Sequence, residues 1–107
     1  MSGMIVQFRP TIGIAFEQLT VSNSVQVLTP SKYKDSTTSG GCSNALVSLE
    51  TADIRYTYDG TTPTSTVGHL LTSGNSIVLS GQNQMSQFKC IRAASTDSTI
   101  SITYERE

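Results

Sequence analysis

The sequence predicts an all-β fold, a single antiparallel β-sandwich of seven or eight short strands, of the jelly-roll or immunoglobulin-like kind. Residues 45–81 contain three short runs of alternating apolar and polar residues, separated by Gly, Pro, Thr and Asp. No segment has apolar residues at helical spacing over three turns. Only 14% of residues are charged, and Ser and Thr are abundant, as on the outward faces of sheets. A small barrel is the second choice.

The length of 107 residues predicts one domain spanning residues 1–107. The net charge is −1, and the seven Lys and Arg residues are spread along the chain, so no basic stripe is available for a phosphate backbone. The first ten residues, MSGMIVQFRP, lack the apolar run of a signal peptide or membrane span. We therefore expect a protein made in the cytosol, with neither nucleic acid nor a membrane as partner.

The N-terminal segment is predicted to be an edge strand or an arm. Residues 4–8 alternate, and Pro10 cannot donate to a ladder, so residues 1–10 are able to leave their own sheet and reach a neighbour.

The next strand begins with a period-two repeat of Ile12, Ile14 and Phe16. Alternation resumes in the other phase after Glu17-Gln18, which predicts either a bulge there or a slip of phase between two strands. Val25 and Val27 continue in the later phase. This predicts either a hairpin or one long bent strand.

A long surface loop is predicted for residues 30–44, which are almost free of apolar residues. The strand after it has its apolar residues at odd positions (Ala45, Val47, Leu49), and the following one has them at even positions (Ile54, Tyr56, Tyr58). A tight hairpin at residues 50–53 would explain this change, and Asp59-Gly60 predicts a turn.

Three further strands follow. Residues 76–79 form one, and residues 85–93 form a central one with Phe88 and Cys90 on the same face. The last strand places Ile100, Ile102 and Tyr104 inward.

No catalytic, cofactor-binding or metal site is predicted, and hence no enzyme; a small hydrolase is a distant third choice. His69 is the only histidine, and its place between a turn and a strand favours a structural or exposed role. A metal cluster of Asp53, Asp59 and His69 is conceivable, but turn formation explains Asp59 before Gly60 more simply. Glu50 and Arg55 would pair across the expected hairpin.

Aromatic residues offer a second possibility, a platform for a sugar ring. The residues concerned are Tyr56, Tyr58, Phe88 and Tyr104. Their period-two placement favours packing within the sheet instead, and no Trp is present.

The two cysteines are predicted not to form a disulfide. Cys42 lies in a Ser/Gly-rich loop and Cys90 in an alternating strand, where a small apolar residue belongs.

One stretch resembles small structural proteins of tailed bacteriophages and prophages. The resemblance covers residues 45–105 and rests on four segments in order: ETADIRYTYDGTTPTSTVGHLL, GNSIVLSG, MSQFKCIRAAS and STISITYE. It implies a β-sandwich virion protein that is assembled in the host cytoplasm. The implied position is capsid decoration or cement, or else head–tail completion.

Such a protein would act as a symmetric homo-oligomer on the major capsid protein or other virion proteins, with residues 1–11 and 31–44 as candidate contacts. The alternative is a carbohydrate-binding module of a tail fibre or receptor-binding tip. That module would use Tyr33, or Tyr56 and Tyr58, for stacking.

Overall fold

The computed structural model describes residues 12–34 and 42–106. In chain order the elements are β1 (Ile12–Val21), β2 (Gln26–Val27), α1 (Pro30–Tyr33), β3 (Asn44–Glu50), β4 (Ile54–Thr57), β5 (His69–Leu71), β6 (Ser76–Ser80), α2 (Gly81–Gln87), β7 (Lys89–Arg92) and β8 (Ser98–Arg106). The predicted strand at residues 4–8 and the N-terminal arm lie outside the described residues.

The described strands form two antiparallel sheets of four. Sheet A has the order β1-β8-β3-β6, and sheet B has the order β2-β7-β4-β5. The pairing is nested: the first strand pairs with the eighth, the second with the seventh, the third with the sixth and the fourth with the fifth. Between consecutive strands the chain changes sheet at every step except β4 to β5. The predicted all-β sandwich is confirmed, and this order is that of a jelly roll rather than an immunoglobulin-like domain.

The core lies between the sheets and is built from alternate residues of the strands. Ile100, Ile102 and Tyr104 of β8 are fully buried, as predicted, and Val47 of β3 pairs with Ile102. Burying an Ile side chain of this kind contributes about 1.5–3 kcal/mol. Because β8 lies between β1 and β3, its inward side chains pack under the middle of sheet A.

The first strand is continuous, and its bulge lies nearer its start than the sequence predicts. Gly13 pairs with Glu105 and Ala15 with Tyr104, which leaves Ile14 as the extra residue. Phe16 consequently points outward and is 55% exposed, whereas Glu17 points inward. The sequence predicts the bulge too late in the strand because Glu17 is polar, and a carboxylate is not expected on the inward face of a sheet.

Neither the hairpin nor the long bent strand expected around residues 22–24 forms. After β1 the chain leaves sheet A, and β2 pairs with β7 in sheet B. Val25 and Val27 are 40% and 46% exposed, and it is Leu28 that is buried.

The tight hairpin expected at residues 50–53 is also wrong. β3 belongs to sheet A and β4 to sheet B, so the change from odd to even inward positions marks a change of sheet. The crossing uses Thr51 with φ +83°, and Ser98 Oγ donates to Ala52 O at 2.7 Å. Glu50 and Arg55 therefore do not face each other across a hairpin; Arg55 Nη1 donates to Gly68 O at 3.2 Å.

Two short helices replace parts of predicted loop and strand. α1 lies in the predicted loop of residues 30–44, and its Tyr33 is only 4% exposed. α2 extends to Gln87, so the strand expected from residue 85 begins at Lys89. The α2 segment, GQNQMSQ, has one apolar residue, the buried Met85. A single apolar residue gives no helical periodicity, so the sequence pattern does not predict this helix. Phe88 and Cys90 are fully buried and β7 is central in sheet B, both as predicted.

Both cysteines are buried free thiols, which agrees with the prediction. Cys42 Sγ lies 3.4 Å from Met85 Sδ, and burial raises the pKa of Cys90 to about 12. Over residues 12–34 and 42–106, no helix has the length and apolarity needed to cross a membrane.

Candidate functional site

The aromatic residues singled out from the sequence divide into core and surface. Phe88 and Tyr104 are fully buried, as their spacing favours. Tyr33 packs on Tyr104 with ring centroids 6.3 Å apart and is almost fully buried. Tyr33 is thus unable to offer a face to a sugar, and that part of the carbohydrate hypothesis is wrong.

Tyr56, Tyr58 and His69 form a cluster at the surface, which we call the aromatic cluster. Tyr56 pairs directly with His69 across β4 and β5, and Tyr58 follows the end of β4. The ring centroids are 5.3 Å apart for Tyr56 and His69, 6.0 Å for Tyr58 and His69, and 6.4 Å for the two tyrosines. Tyr58 is 43% exposed, and His69 is also exposed.

The cluster rests on the core through Tyr56. Its ring lies 5.9 Å from that of Phe88, at an interplanar angle of 30°. Tyr56 is partly buried, and its pKa is raised by burial and then by Tyr58. Tyr56 therefore joins the cluster to the core, whereas Tyr58 and His69 are more exposed.

Asp59 supplies a carboxylate beside the cluster. Its Oδ1 accepts from the backbone N–H of Thr61 at 3.0 Å. This backbone hydrogen bond and one from the Thr61 side chain lower the pKa of Asp59, with a further contribution from His69. The carboxylate is ionised at neutral pH and fully accessible to solvent.

Tyr58 lines two clefts. One, of about 410 Å³, lies between Tyr58, Asp59, Thr61 and His69. The other, of about 380 Å³, lies between the two tyrosines and β6, and Val78 is among its lining residues. A small ligand therefore has access to the ring of Tyr58.

Two glycines with positive φ determine the backbone path beside the aromatic cluster. Gly60 has φ +91° in the turn that presents Asp59, and its carbonyl accepts from Lys89 Nζ at 3.2 Å. Gly68 has φ +126°, and a Cβ there would lie 3.1 Å from Tyr56 O. A side chain at Gly68 would push β5 away from β4 and separate His69 from the tyrosines.

The conceivable metal cluster does not assemble. Asp53 precedes β4 and Asp59 follows it, so the two carboxylates lie at opposite ends of that strand. Asp53 Oδ1 accepts from Ser73 N at 2.9 Å. In the part of the chain that the structure describes, no three His, Cys, Asp or Glu side chains are grouped as metal ligands.

A second surface feature lies on the outer face of sheet A. Phe16 pairs with Thr103, Thr103 with Leu46, and Leu46 with Val78, which makes one row across all four strands. Phe16 and Val78 are each 55% exposed, and Leu46 is partly buried. We call Phe16, Thr103, Leu46 and Val78 the apolar row.

The rows on either side of the apolar row are polar. One consists of Gln18, Ser101, Ser48 and Ser76. The other contains Glu105, Asn44 and Ser80, with Asn44 Nδ2 donating to Glu105 Oε1 at 2.7 Å. An apolar strip between polar margins is the usual composition of a protein contact surface.

Sequence reasoning found only part of these features. It named Tyr56 and Tyr58, but it left His69 and Asp59 to turn or structural roles. The β4–β5 register brings them together, and HLL is too short a run to predict that register. Comparison of the chain with protein-family models, curated proteins and solved structures finds no match.

Proposed function

We propose that this chain is a structural protein of a phage virion that acts through protein–protein contacts as a homo-oligomer. The position implied by the motif resemblance is capsid decoration or cement, or head–tail completion, after assembly in the host cytoplasm. Its partners would be further copies of itself and the major capsid protein or other virion proteins. The observation that carries the proposal is the apolar row.

The apolar row suits contact with a second sheet. Side chains of facing sheets interdigitate at a separation of about 10 Å, and Phe16, Leu46 and Val78, with Thr103 between the first two, supply apolar surface for such packing. On the outer face of the described strands of sheet A, Glu105 is the charged residue in the row next to the apolar row, and it accepts a hydrogen bond from Asn44. Two copies would therefore meet without strong charge repulsion at the centre.

The size of the face predicts weak individual contacts. With about 4.8 Å between strands and about 3.3 Å per residue, four strands of about seven residues cover roughly 440 Å². A standard interface buries about 800 Å² on each partner. A contact of this size becomes stable when each subunit makes several at once, as in a closed shell.

The test compares Phe16→Lys with Thr20→Lys. Both residues are exposed on the outer face of β1, but only Phe16 belongs to the apolar row. Self-association is measured by sedimentation velocity over a range of concentrations, and capsid binding by co-sedimentation with empty capsids of the encoding phage. Phe16→Lys should weaken both by at least about tenfold, because burying an unpaired ammonium is costly. Thr20→Lys should leave both near the wild-type level.

Different results contradict different parts of the proposal. If Phe16→Lys and Thr20→Lys show equal self-association and equal capsid binding, the apolar row is not a contact surface. Self-association without capsid binding by the wild-type protein would refute the virion role while retaining the oligomer. Circular dichroism of both variants establishes that folding is unchanged.

A further inference from the structure

We propose that the aromatic cluster and Asp59 form a carbohydrate-binding site that takes a single pyranose ring. This proposal rests on the arrangement of Tyr56, Tyr58, His69 and Asp59 and does not require the assembly function.

The shape of the cluster suits a flat ligand. Its three centroid distances, 5.3, 6.0 and 6.4 Å, form a nearly equilateral triangle, so the rings are not stacked in a column. The interplanar angles are 24°, 27° and 40°, so the three ring planes are inclined to one another by 40° at most. A surface of this kind matches the C–H face of a pyranose ring.

The same angles argue against a cationic ligand. Aromatic cages hold a quaternary ammonium group between several ring faces. Such a cage needs walls at steep angles, whereas the planes of Tyr56, Tyr58 and His69 differ by 40° at most. The cluster is therefore not arranged as a cage around a cation.

Asp59 provides the polar half of the site. A carboxylate has about four lone-pair positions, and the hydrogen bonds with Thr61 hold it at the rim of the cleft. Sugar hydroxyls donate well to an ionised carboxylate. The cleft of about 410 Å³ is lined by Tyr58, His69 and Asp59, so a sugar ring stacked on Tyr58 there would have its hydroxyls within reach of the carboxylate.

The site can be tested apart from the apolar row. Val78 lines the second cleft beside Tyr58, so the two features adjoin at β6. Phe16 lies at the other edge of sheet A, three strand spacings or about 14 Å away. Phe16→Lys should therefore disrupt assembly and leave sugar binding intact.

The chain reports on this site directly, because His69 is its only histidine. Its imidazole proton resonances are identifiable in a one-dimensional NMR spectrum of the Phe16→Lys protein. Methyl glycosides of glucose, galactose and N-acetylglucosamine are titrated separately, and choline chloride serves as the cationic probe. We expect saturable shifts of the His69 resonances with at least one sugar, at a Kd of about 1 mM or weaker.

Variants separate stacking from hydrogen bonding. Tyr58→Ala should weaken binding about tenfold, whereas Tyr58→Phe keeps the ring and should bind within about twofold of the parent. Asp59→Asn should weaken binding severalfold, since the acceptor loses its charge. Leu70→Ala is the matched control, an exposed apolar residue in the same strand as His69.

The proposal is overturned if none of the three sugars shifts the His69 resonances. It is equally overturned if choline alone does so, or if Leu70→Ala is as damaging as Tyr58→Ala. Since the assembly assays do not involve this cleft, none of these results bears on the proposed virion role.

Discussion

Replacing Glu17 by alanine is expected to destabilise the sandwich by about 3 kcal/mol. Its carboxylate accepts from Thr29 Oγ1 at 2.7 Å, from Thr29 N at 3.2 Å and from the hydroxyl of Tyr104. Tyr104 is fully buried, so its hydroxyl would lose its charged acceptor without water to replace it, at a cost of about 1–3 kcal/mol. Thr29 is partly exposed, and water would compensate in part for its two bonds.

Glu17→Gln should cost less, about 2 kcal/mol, because the amide keeps one acceptor oxygen for three donors. Gln18→Ala is the control, since Gln18 is exposed and its amide donates to Ser101 Oγ at 3.0 Å on the outer face of sheet A. It should change stability by less than about 0.5 kcal/mol.

Urea unfolding followed by circular dichroism measures all three variants, and thermal melts should fall by roughly 4–8 °C per kcal/mol. A double-mutant cycle of Glu17→Ala with Tyr104→Phe should give a coupling of about 1–3 kcal/mol. If Glu17→Ala and Gln18→Ala shift the urea midpoint equally, the Glu17 carboxylate does not stabilise the fold through Thr29 and Tyr104.

Four further predictions concern the register of β8, the two thiols, the titration of Cys90 and the N-terminal segment. Ile102→Asp should unfold the domain or lower its melting temperature severely, while Ser101→Asp should be nearly silent in the same melt; equal shifts would mean that the strand register is wrong. Thiol titration should find Cys42 and Cys90 both free after denaturation. Since burial raises the pKa of Cys90 to about 12, the folded state holds this proton more tightly than the unfolded chain. The neutral thiol of Cys90 therefore contributes fully to the free energy of unfolding below its ordinary pKa of 9.0, and this contribution falls as the pH rises towards 12. In Cys90→Ala, the free energy of unfolding measured in urea should consequently decrease less between pH 9 and 11 than it does in the wild-type protein. A chain beginning at Thr11 should keep a cooperative melt but lose oligomerisation or capsid binding; unfolding would make residues 1–10 part of the sandwich, although they lie outside the described structure.

The strands that could be predicted are those whose two faces differ in polarity. β8 alternates strictly because Ile100, Ile102 and Tyr104 face the core while Ser101 and Thr103 face solvent. Local alternation fixes a strand and its inward side, but it does not identify the sheet to which the strand belongs. The hairpin between β3 and β4 is wrong for that reason.

The misplaced bulge has a different cause. Glu17 is polar yet faces inward, because its partners Thr29 and Tyr104 satisfy it. Both partners are distant in the sequence, so no local pattern predicts the arrangement. The aromatic cluster also depends on a contact between residues that are distant in the sequence. Tyr56 and Tyr58 lie on the same face of their strand segment, whereas His69 joins them only through the pairing of β4 with β5.

The nested pairing of the jelly roll determines when sheet A can be completed during synthesis of the chain. β8 lies between β1 and β3, so the last of the described strands to leave the ribosome is the one that joins the other three strands of sheet A. Until it emerges, β1 and β3 each present an unpaired edge, the situation in which strands associate with the wrong partner. A nascent chain halted before Ser98 therefore leaves sheet A in two parts, however complete sheet B already is.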